Sequence, residues 1–289
     1  MELGKIGVWC STDALTTVQL TELAQRTERL RYGTLWYPES RGHEAFAIGS
    51  FLLQQTSSLI LATGIANIYA RDATTAKQGQ HTLAKISGGR FLLGLGVSHI
   101  PLVENMRGHT YGKPVATMRA YLDGMEQAEA VAPRLEDKPP IVLAALGPNM
   151  TRLAGERTAG THPYLITPEH TVEARKILGP DAWVCAEQMV LMVNDATKAR
   201  TIARQNLERY MVMPNYRNSW LRQGFSEEEL ADGGSDRFVD AMVAWGGAEV
   251  IKQRIQAHFD AGASHVCIQP LHPEGKPMPD FDALVALAP

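Results

Sequence analysis

The chain of 289 residues has three cysteines, and no two of them form a C-x-x-C pair. An odd count without that spacing argues against a disulfide framework and a zinc knuckle. Cys10, Cys185 and Cys267 fall in apolar, strand-like stretches, so reduced, buried thiols are expected. Charge of one sign is also lacking: 28 Lys and Arg stand against 31 Asp and Glu, a net charge of −3. The signs are interspersed, which leaves no footprint for nucleic acid or for a membrane surface. No apolar run approaches the ~18 residues of a spanning helix. Met1–Cys10 carries Lys5 as its only basic side chain and reads as a strand, not as a leader. A cytoplasmic location is therefore expected. Metal signatures are missing as well. There is no H-E-x-x-H, and the first strand ends Val8-Trp9-Cys10 where a metal-dependent barrel hydrolase has His-x-His. We expect no metal. No predicted strand end supplies a Schiff-base lysine. A glycosidase pair would have to be Glu39 and Glu187, and Glu187 lies mid-strand.

What is present is a regular alternation. The chain is 45% hydrophobic, enough for the core of a barrel of about 250 residues plus an insertion. Predicted strands are Ile6–Cys10, Gly33–Tyr37, Leu59–Ile65, Arg90–Val97, Ile141–Leu146, Pro163–Ile166, Trp183–Val193 and Val266–Pro270. Predicted helices are Thr16–Arg31, Glu44–Ser57, Ala73–Ile86, Val115–Ala132, Gly147–Thr158, Pro168–Leu178, Ala196–Met211, Glu249–Ala261 and Phe281–Leu287. Pro214–Ser235 breaks the rhythm and reads as an insertion, near 212–235. The expected fold class is α/β, a closed (β/α)8 TIM barrel forming one domain over residues 1–289.

The most informative stretch is Ser58–Pro114. Its two strands, joined by one helix, run out into unusual loops at their carboxyl ends: Gly64-Ile65-Ala66-Asn67-Ile68-Tyr69-Ala70-Arg71-Asp72, and Gly94-Leu95-Gly96-Val97-Ser98-His99. Ligands of parallel α/β proteins bind at that edge. Gly94-Leu95-Gly96 is not a dinucleotide fingerprint, because the glycines sit inside a strand and a long loop follows. Gly147-Pro148-Asn149-Met150 opens a helix, where free N–H groups favour an anion. Glu39, Ser40, His43, Ser98 and His99 bring carboxylate and imidazole to the barrel mouth, which suits proton transfer near neutral pH. Of these, His99 is the first choice. Arg71-Asp72 is either a solvated pair or a charge that steers an anionic tail. Trp36 is expected in the core, and Trp9 beside a bound ring.

The string ATGIANIYARDATTAKQGQHTLAKISGGRFLLGLGVSH resembles strands three and four of the bacterial luciferase-like monooxygenase superfamily. It is most similar to the branch that uses the deazaflavin coenzyme F420. The resemblance implies a non-prolyl cis peptide at Gly64–Ile65 beneath the flavin ring, and a cofactor phosphate at the turn before Asn149. It implies cofactor contacts from Gly64, Ile65, Ala66, Asn67, Arg71, Val97, Ser98, Ala145, Gly147, Pro148, Asn149 and Met150. F420-dependent sugar-phosphate and alcohol dehydrogenases of the superfamily carry Asp-His after strand two and Glu after strand four. This chain has Glu39-Ser40 and His99 instead. The implied function is hydride transfer between F420 and a small organic substrate, with His99, Glu39 or His43 moving the proton. The alternatives are an FMN-dependent monooxygenase that uses oxygen, and a non-catalytic flavin-binding relative. A homodimer is implied as well.

Overall fold

In this computed structural model, which describes residues 1–129 and 138–289, parallel strands close into a ring. The strands are β1 Ile6–Trp9, β2 Thr34–Tyr37, β3 Ile60–Thr63, β4 Ala66–Asn67, β5 Phe91–Gly96, β6 Ile141–Leu143, β7 Gly160–Thr161, β8 Trp183–Leu191, β9 Val243–Trp245 and β10 His265–Pro270. The ring order is β1-β2-β3-β5-β6-β7-β8-β10, closed by β10 pairing with β1. Its eight strand positions make the expected (β/α)8 barrel.

Side-chain alternation builds the two layers. Trp9, Trp36, Ala62, Leu92, Val142, Cys185 and Cys267 meet in the barrel interior. Their strand neighbours Val8, Leu35, Leu61, Leu93, Leu143, Ala186 and Val266 belong to the separate core outside the ring, against the helices. The three cysteines are free and buried, and burial pushes the Cys10 thiol up to about 12.

The helices are α1 Thr17–Arg29, α2 Ala45–Gln54, α3 Ala73–Ile86, α4 Pro114–Gln127, α5 Pro148–Arg157, α6 Pro168–Leu178, α7 Ala196–Met211, α8 Pro214–Arg222, α9 Asp236–Met242, α10 Ala248–Asp260 and α11 Phe281–Ala286. Local chemistry fixes their starts. Thr16 and Gln19 form a capping box on α1, and Asp72 accepts from Thr75 N at 2.8 Å to cap α3. Among the described residues no helix is long and apolar enough to cross a membrane.

The structure corrects the sequence reading in places. The sixth ring strand is Gly160–Thr161, paired with Val142–Leu143 and Trp183–Val184, and not Pro163–Ile166. Pro163 has no N–H for the ladder, so regular pairing stops before it, although its carbonyl still accepts from Glu187 N at 3.1 Å. α4 ends at Gln127, where Ala128 turns extended, short of the expected end at Ala132, and residues 130–132 lie outside the described residues. β4 and β9 were not expected: β4 resumes pairing with β5 beyond Gly64–Ile65, and β9 lies against the end of β8. The region expected as an insertion holds α8, whose Trp220 packs on Phe238 in a core of its own. Trp220 Nε1 ties α8 to Leu165 O at 3.1 Å.

Candidate functional site

A cavity of about 420 Å³ opens where β5, β6 and β7 end. Behind its lining stands β1, whose Trp9, expected beside a bound ring, is not itself a lining residue. Trp9 Nε1 donates to Gly64 O at 3.0 Å, and the Gly64–Ile65 peptide that follows is cis, as expected. A side chain at Gly64 would stand 2.7 Å from Trp9 Nε1 and 3.0 Å from His162 Nε2, so glycine is required by close approach. Ile65 then lies over Gly96, in the space a Cβ there would occupy.

Glu39 and Arg71 hold this bulge from behind. Glu39 accepts from Asn67 N at 2.8 Å and from Ala45 N at 3.3 Å, and its own N–H donates to Ile65 O at 3.0 Å. Arg71 pairs with Glu39, and with Glu44 at 2.6 Å, over the face of Phe46. Neither residue lines the cavity. The carboxylate expected to act as acid–base and the guanidinium expected to steer an anion are here paired with each other. Gly64, Ala66 and Asn67 likewise shape the bulge from behind and do not line the cavity. His43 is also outside it, with Nε2 buried and unpartnered among the described residues.

Ile65, Val97, Ser98, His99, Ala145, Gly147, Pro148, Asn149 and Met150 do line it. Ser98 sits at φ +58°, in the left-handed region that few non-glycine residues adopt. That turn brings His99 from the end of β5 to within 5.7 Å of the Tyr216 ring. Burial pushes the His99 pKa down, and the neighbouring Asn215 side chain partly opposes it. The imidazole is thus neutral at pH 7 and able to accept a proton.

The opposite wall is the start of α5. Gly147 is its N-cap and makes no side-chain cap, with Pro148 in the first turn. The next amides are left for a ligand. Arg222 of α8 donates to Leu146 O at 3.3 Å beside this turn. Helix start and guanidinium together make an electropositive corner.

The rear of the floor is neutral. His162 donates from Nδ1 to Cys185 O at 2.9 Å and stacks on Trp36, 4.3 Å between ring centroids. Burial pushes its pKa down to about 4. Tyr164 donates to Gln269 Oε1 at 2.8 Å and meets the Tyr210 hydroxyl at 3.0 Å, which in turn accepts from Arg209 at 2.6 Å. Below them, burial lifts the Glu187 carboxyl to about 8, against one hydrogen bond from Leu165 N at 3.1 Å. Among the described residues no cluster could hold a metal ion.

The sequence reading missed His162, Tyr164, Tyr216 and Arg222. The first two were hidden by the misplaced sixth strand, which put His162 ahead of a strand instead of at its carboxyl end. For the others a signal existed. Tyr216 and Trp220 are one helical turn apart after Pro214, a pattern for a short amphipathic helix.

Residues 3–265 match the family model for luciferase-like monooxygenases. A Mycobacterium tuberculosis protein named as a coenzyme F420-dependent oxidoreductase is 31% identical over 165 residues, 56% of this chain. The match spans 47% of that relative's length. Among solved structures, an F420-dependent secondary alcohol dehydrogenase in complex with an F420–acetone adduct superposes with TM-score 0.76 at 16% identity, over 99% of this chain and 97% of its own. The FMN-bound oxygenating constituent of 3,6-diketocamphane monooxygenase from Pseudomonas putida gives TM-score 0.71 at 16% identity, over 98% and 96%. At such identities the two structures speak for the fold.

Proposed function

The chain belongs to the luciferase-like monooxygenase family, and from that premise we propose that it is a coenzyme F420-dependent oxidoreductase. It moves a hydride between the deazaflavin and a small organic substrate. The observation that carries this reading is a single cavity joining Ile65 of the cis bulge, the uncapped start of α5 and neutral His99.

The residues present fit the cofactor. Glycine at 64 and 96 lets Trp9 and Ile65 pack directly against the backbone of the bulge, His162 Nε2 is a buried acceptor without a partner among the described residues, and α5 with Arg222 suits a phosphate. An anion at a helix start gains about 0.3–1 kcal/mol, more where it is partly buried. Bound there, F420 supplies the hydride-carrying ring carbon. The protein does the rest. Asn149, Met150 and Arg222 hold the anionic tail, the Ile65 bulge backs the ring, and Tyr111 and Tyr216 narrow the mouth against water. His99 takes or returns the substrate proton on its imidazole.

The F420-dependent relative and the F420-bound alcohol dehydrogenase support the deazaflavin. The FMN-bound neighbour supports the second reading, a monooxygenase using reduced FMN and oxygen, since a helix start accepts either phosphate. Separate titrations decide between them. F420 binding at micromolar affinity or better, about −8 kcal/mol, is the expected result. Tight FMN binding with oxygen-dependent turnover, and no F420 binding, would reverse the assignment. The homodimer is tested by light scattering, where a mass of 31.7 kDa would mean a monomer.

A further inference from the structure

The fully buried histidines are His162, His258 and His265, and two of these have both ring nitrogens engaged. His265 accepts from Trp36 Nε1 at 3.0 Å and donates from Nδ1 to Gly4 O at 2.8 Å. His258 meets Thr171 Oγ1 at 2.9 Å and Gln188 Oε1 at 3.2 Å. His162 differs. Its Nδ1 faces the carbonyl of Cys185, which can only accept, so the proton of the neutral ring sits on Nδ1. Nε2 is then a bare lone pair, and it has no partner among the described residues.

Most buried polar atoms are satisfied, and one that is not calls for a reason. Two other cases near the site, His170 Nδ1 and Glu187 Oε1, belong to residues that do not line the cavity. His162 lines it at 2% exposure. The ring cannot turn over without losing the Cys185 bond. Any side chain at Gly64 would stand 3.0 Å from Nε2, so the glycine keeps that atom uncovered.

We infer that His162 Nε2 is the acceptor that reads a hydrogen-bond donor on the cofactor ring, an inference that rests on the flavin-type reading above. The donor is an imide N–H, which F420 and FMN share, or the ring hydroxyl that F420 has in addition. An acceptor held without a donor in a dry site is unfavourable, so the pocket favours a ring that presents one at that point. His162 thereby positions the ring against the bulge and takes no part in proton transfer. With its only proton committed to a carbonyl the ring is a poor acid, and burial, which holds its pKa down to about 4, makes Nε2 a weak base.

The test measures F420 and FMN affinity by fluorescence titration of the whole protein and two variants, with ¹⁵N imidazole spectra of the wild type. His162→Asn keeps a donor near Cys185 O and removes the acceptor. His162→Gln carries an acceptor near the position of Nε2. We expect His162→Asn to weaken cofactor binding about tenfold or more, and His162→Gln to stay within about threefold of wild type. The wild-type Nε2 signal should shift towards that of a hydrogen-bonded nitrogen when cofactor is added. Loss for both cofactors assigns the imide N–H, and loss for F420 alone assigns the hydroxyl. Unchanged affinity in a folded His162→Asn, or an Nε2 signal indifferent to cofactor, overturns the inference while leaving the cofactor reading intact. A wild type that binds neither F420 nor FMN overturns both, so the two failures are distinguishable.

Discussion

Glu39 lies just past β2, and its side chain, 3% exposed, faces the guanidinium of Arg71 and the amides of Asn67 and Ala45. Glu187 lies in the middle of β8, is 1% exposed, and has one amide, Leu165 N, with no cation in contact among the described residues. Both acids are buried in one barrel. On the Glu39 side the loop supplies counter-charge, and the acid becomes scaffolding for the Gly64–Ile65 bulge. On the Glu187 side a single amide offsets desolvation only in part, and the carboxyl keeps its proton up to about pH 8. The cavity thus has an ionic wall whose charges are turned away from it, and a neutral floor.

The sharpest way to break this contrast is to remove the cation. Arg71→Met leaves Glu39 buried without counter-charge, and losing one partner of a buried pair costs about 3–5 kcal/mol. Urea unfolding at pH 7 measures it. A loss under about 1 kcal/mol would put this pair with ordinary surface pairs. Cofactor affinity should fall as well, because Glu39 holds the amide of Asn67 beyond the bulge.

Next in size is His99, the ionisable group of the β5 wall that faces the cavity. His99→Ala is expected to lower turnover ~10²-fold, about 2.7 kcal/mol, with cofactor Kd nearly unchanged. Burial lowers the His99 pKa below its ordinary value. In the direction where His99 accepts a proton, activity should therefore be level at pH 7 and fall as pH drops below about 6.5. The variant should lose that acid limb. A limb that survives the substitution would assign it to another group.

Glu187→Gln probes the neutral floor. The carboxyl is raised in the folded state, from 4.5 to about 8, so the folded protein holds a proton that the unfolded chain releases. Its contribution to stability is whole below pH 4.5 and is lost as pH rises to about 8, at up to about 1.4 kcal/mol per unit. Glutamine keeps the shape and has nothing to titrate. The variant should match wild type near pH 5 and exceed it by pH 8. Parallel stability–pH curves for the two proteins would sink the assignment of a proton to Glu187.

How much of this was legible differs between the two sides. The β3–β5 wall announces itself locally. Gly64-Ile65, the G-L-G of β5 and Ser98-His99 lie within one crossover unit; the resemblance they carry implied the cis peptide, they named Ile65, Val97, Ser98 and His99 of the cavity wall, and the barrel followed from the βα alternation along the whole chain. What escaped there was the use of Glu39 and Arg71. They are far apart in sequence, and a charged residue near a strand end looks the same whether it faces the cavity or a partner. The neutral floor was less legible because it is tertiary. Tyr164, Tyr210 and Gln269 meet across β7, α7 and β10, and no spacing in the sequence foretells that. Strand β7 is also only Gly160–Thr161, too short for a period of two to register, and the apolar Tyr-Leu-Ile after Pro163 drew the strand assignment away from it.

The smallest effect expected is on the hydroxyl chain, and it sharpens the contrast from the neutral side. The chain has one direction: Arg209 donates to the Tyr210 hydroxyl, Tyr210 donates to Tyr164, and Tyr164 donates to Gln269 Oε1. Tyr210→Phe removes the middle link. Tyr164 keeps its bond to Gln269, and Arg209 is exposed and can turn to water, so no charge is stranded. The loss should be that of one net hydrogen bond, about 1 kcal/mol, a shift of roughly 2–4 °C in Tm. That is well short of the cost of Arg71→Met, although both substitutions remove one group from a buried polar cluster. The difference is the charge left behind, which Arg71→Met creates and Tyr210→Phe does not. Tyr210 does not line the cavity, so F420 affinity should be unchanged. Calorimetry and a cofactor titration on the same sample read both quantities, and a fall in affinity would show that the chain fixes the Tyr164 ring at the cavity floor as well as steadying the barrel.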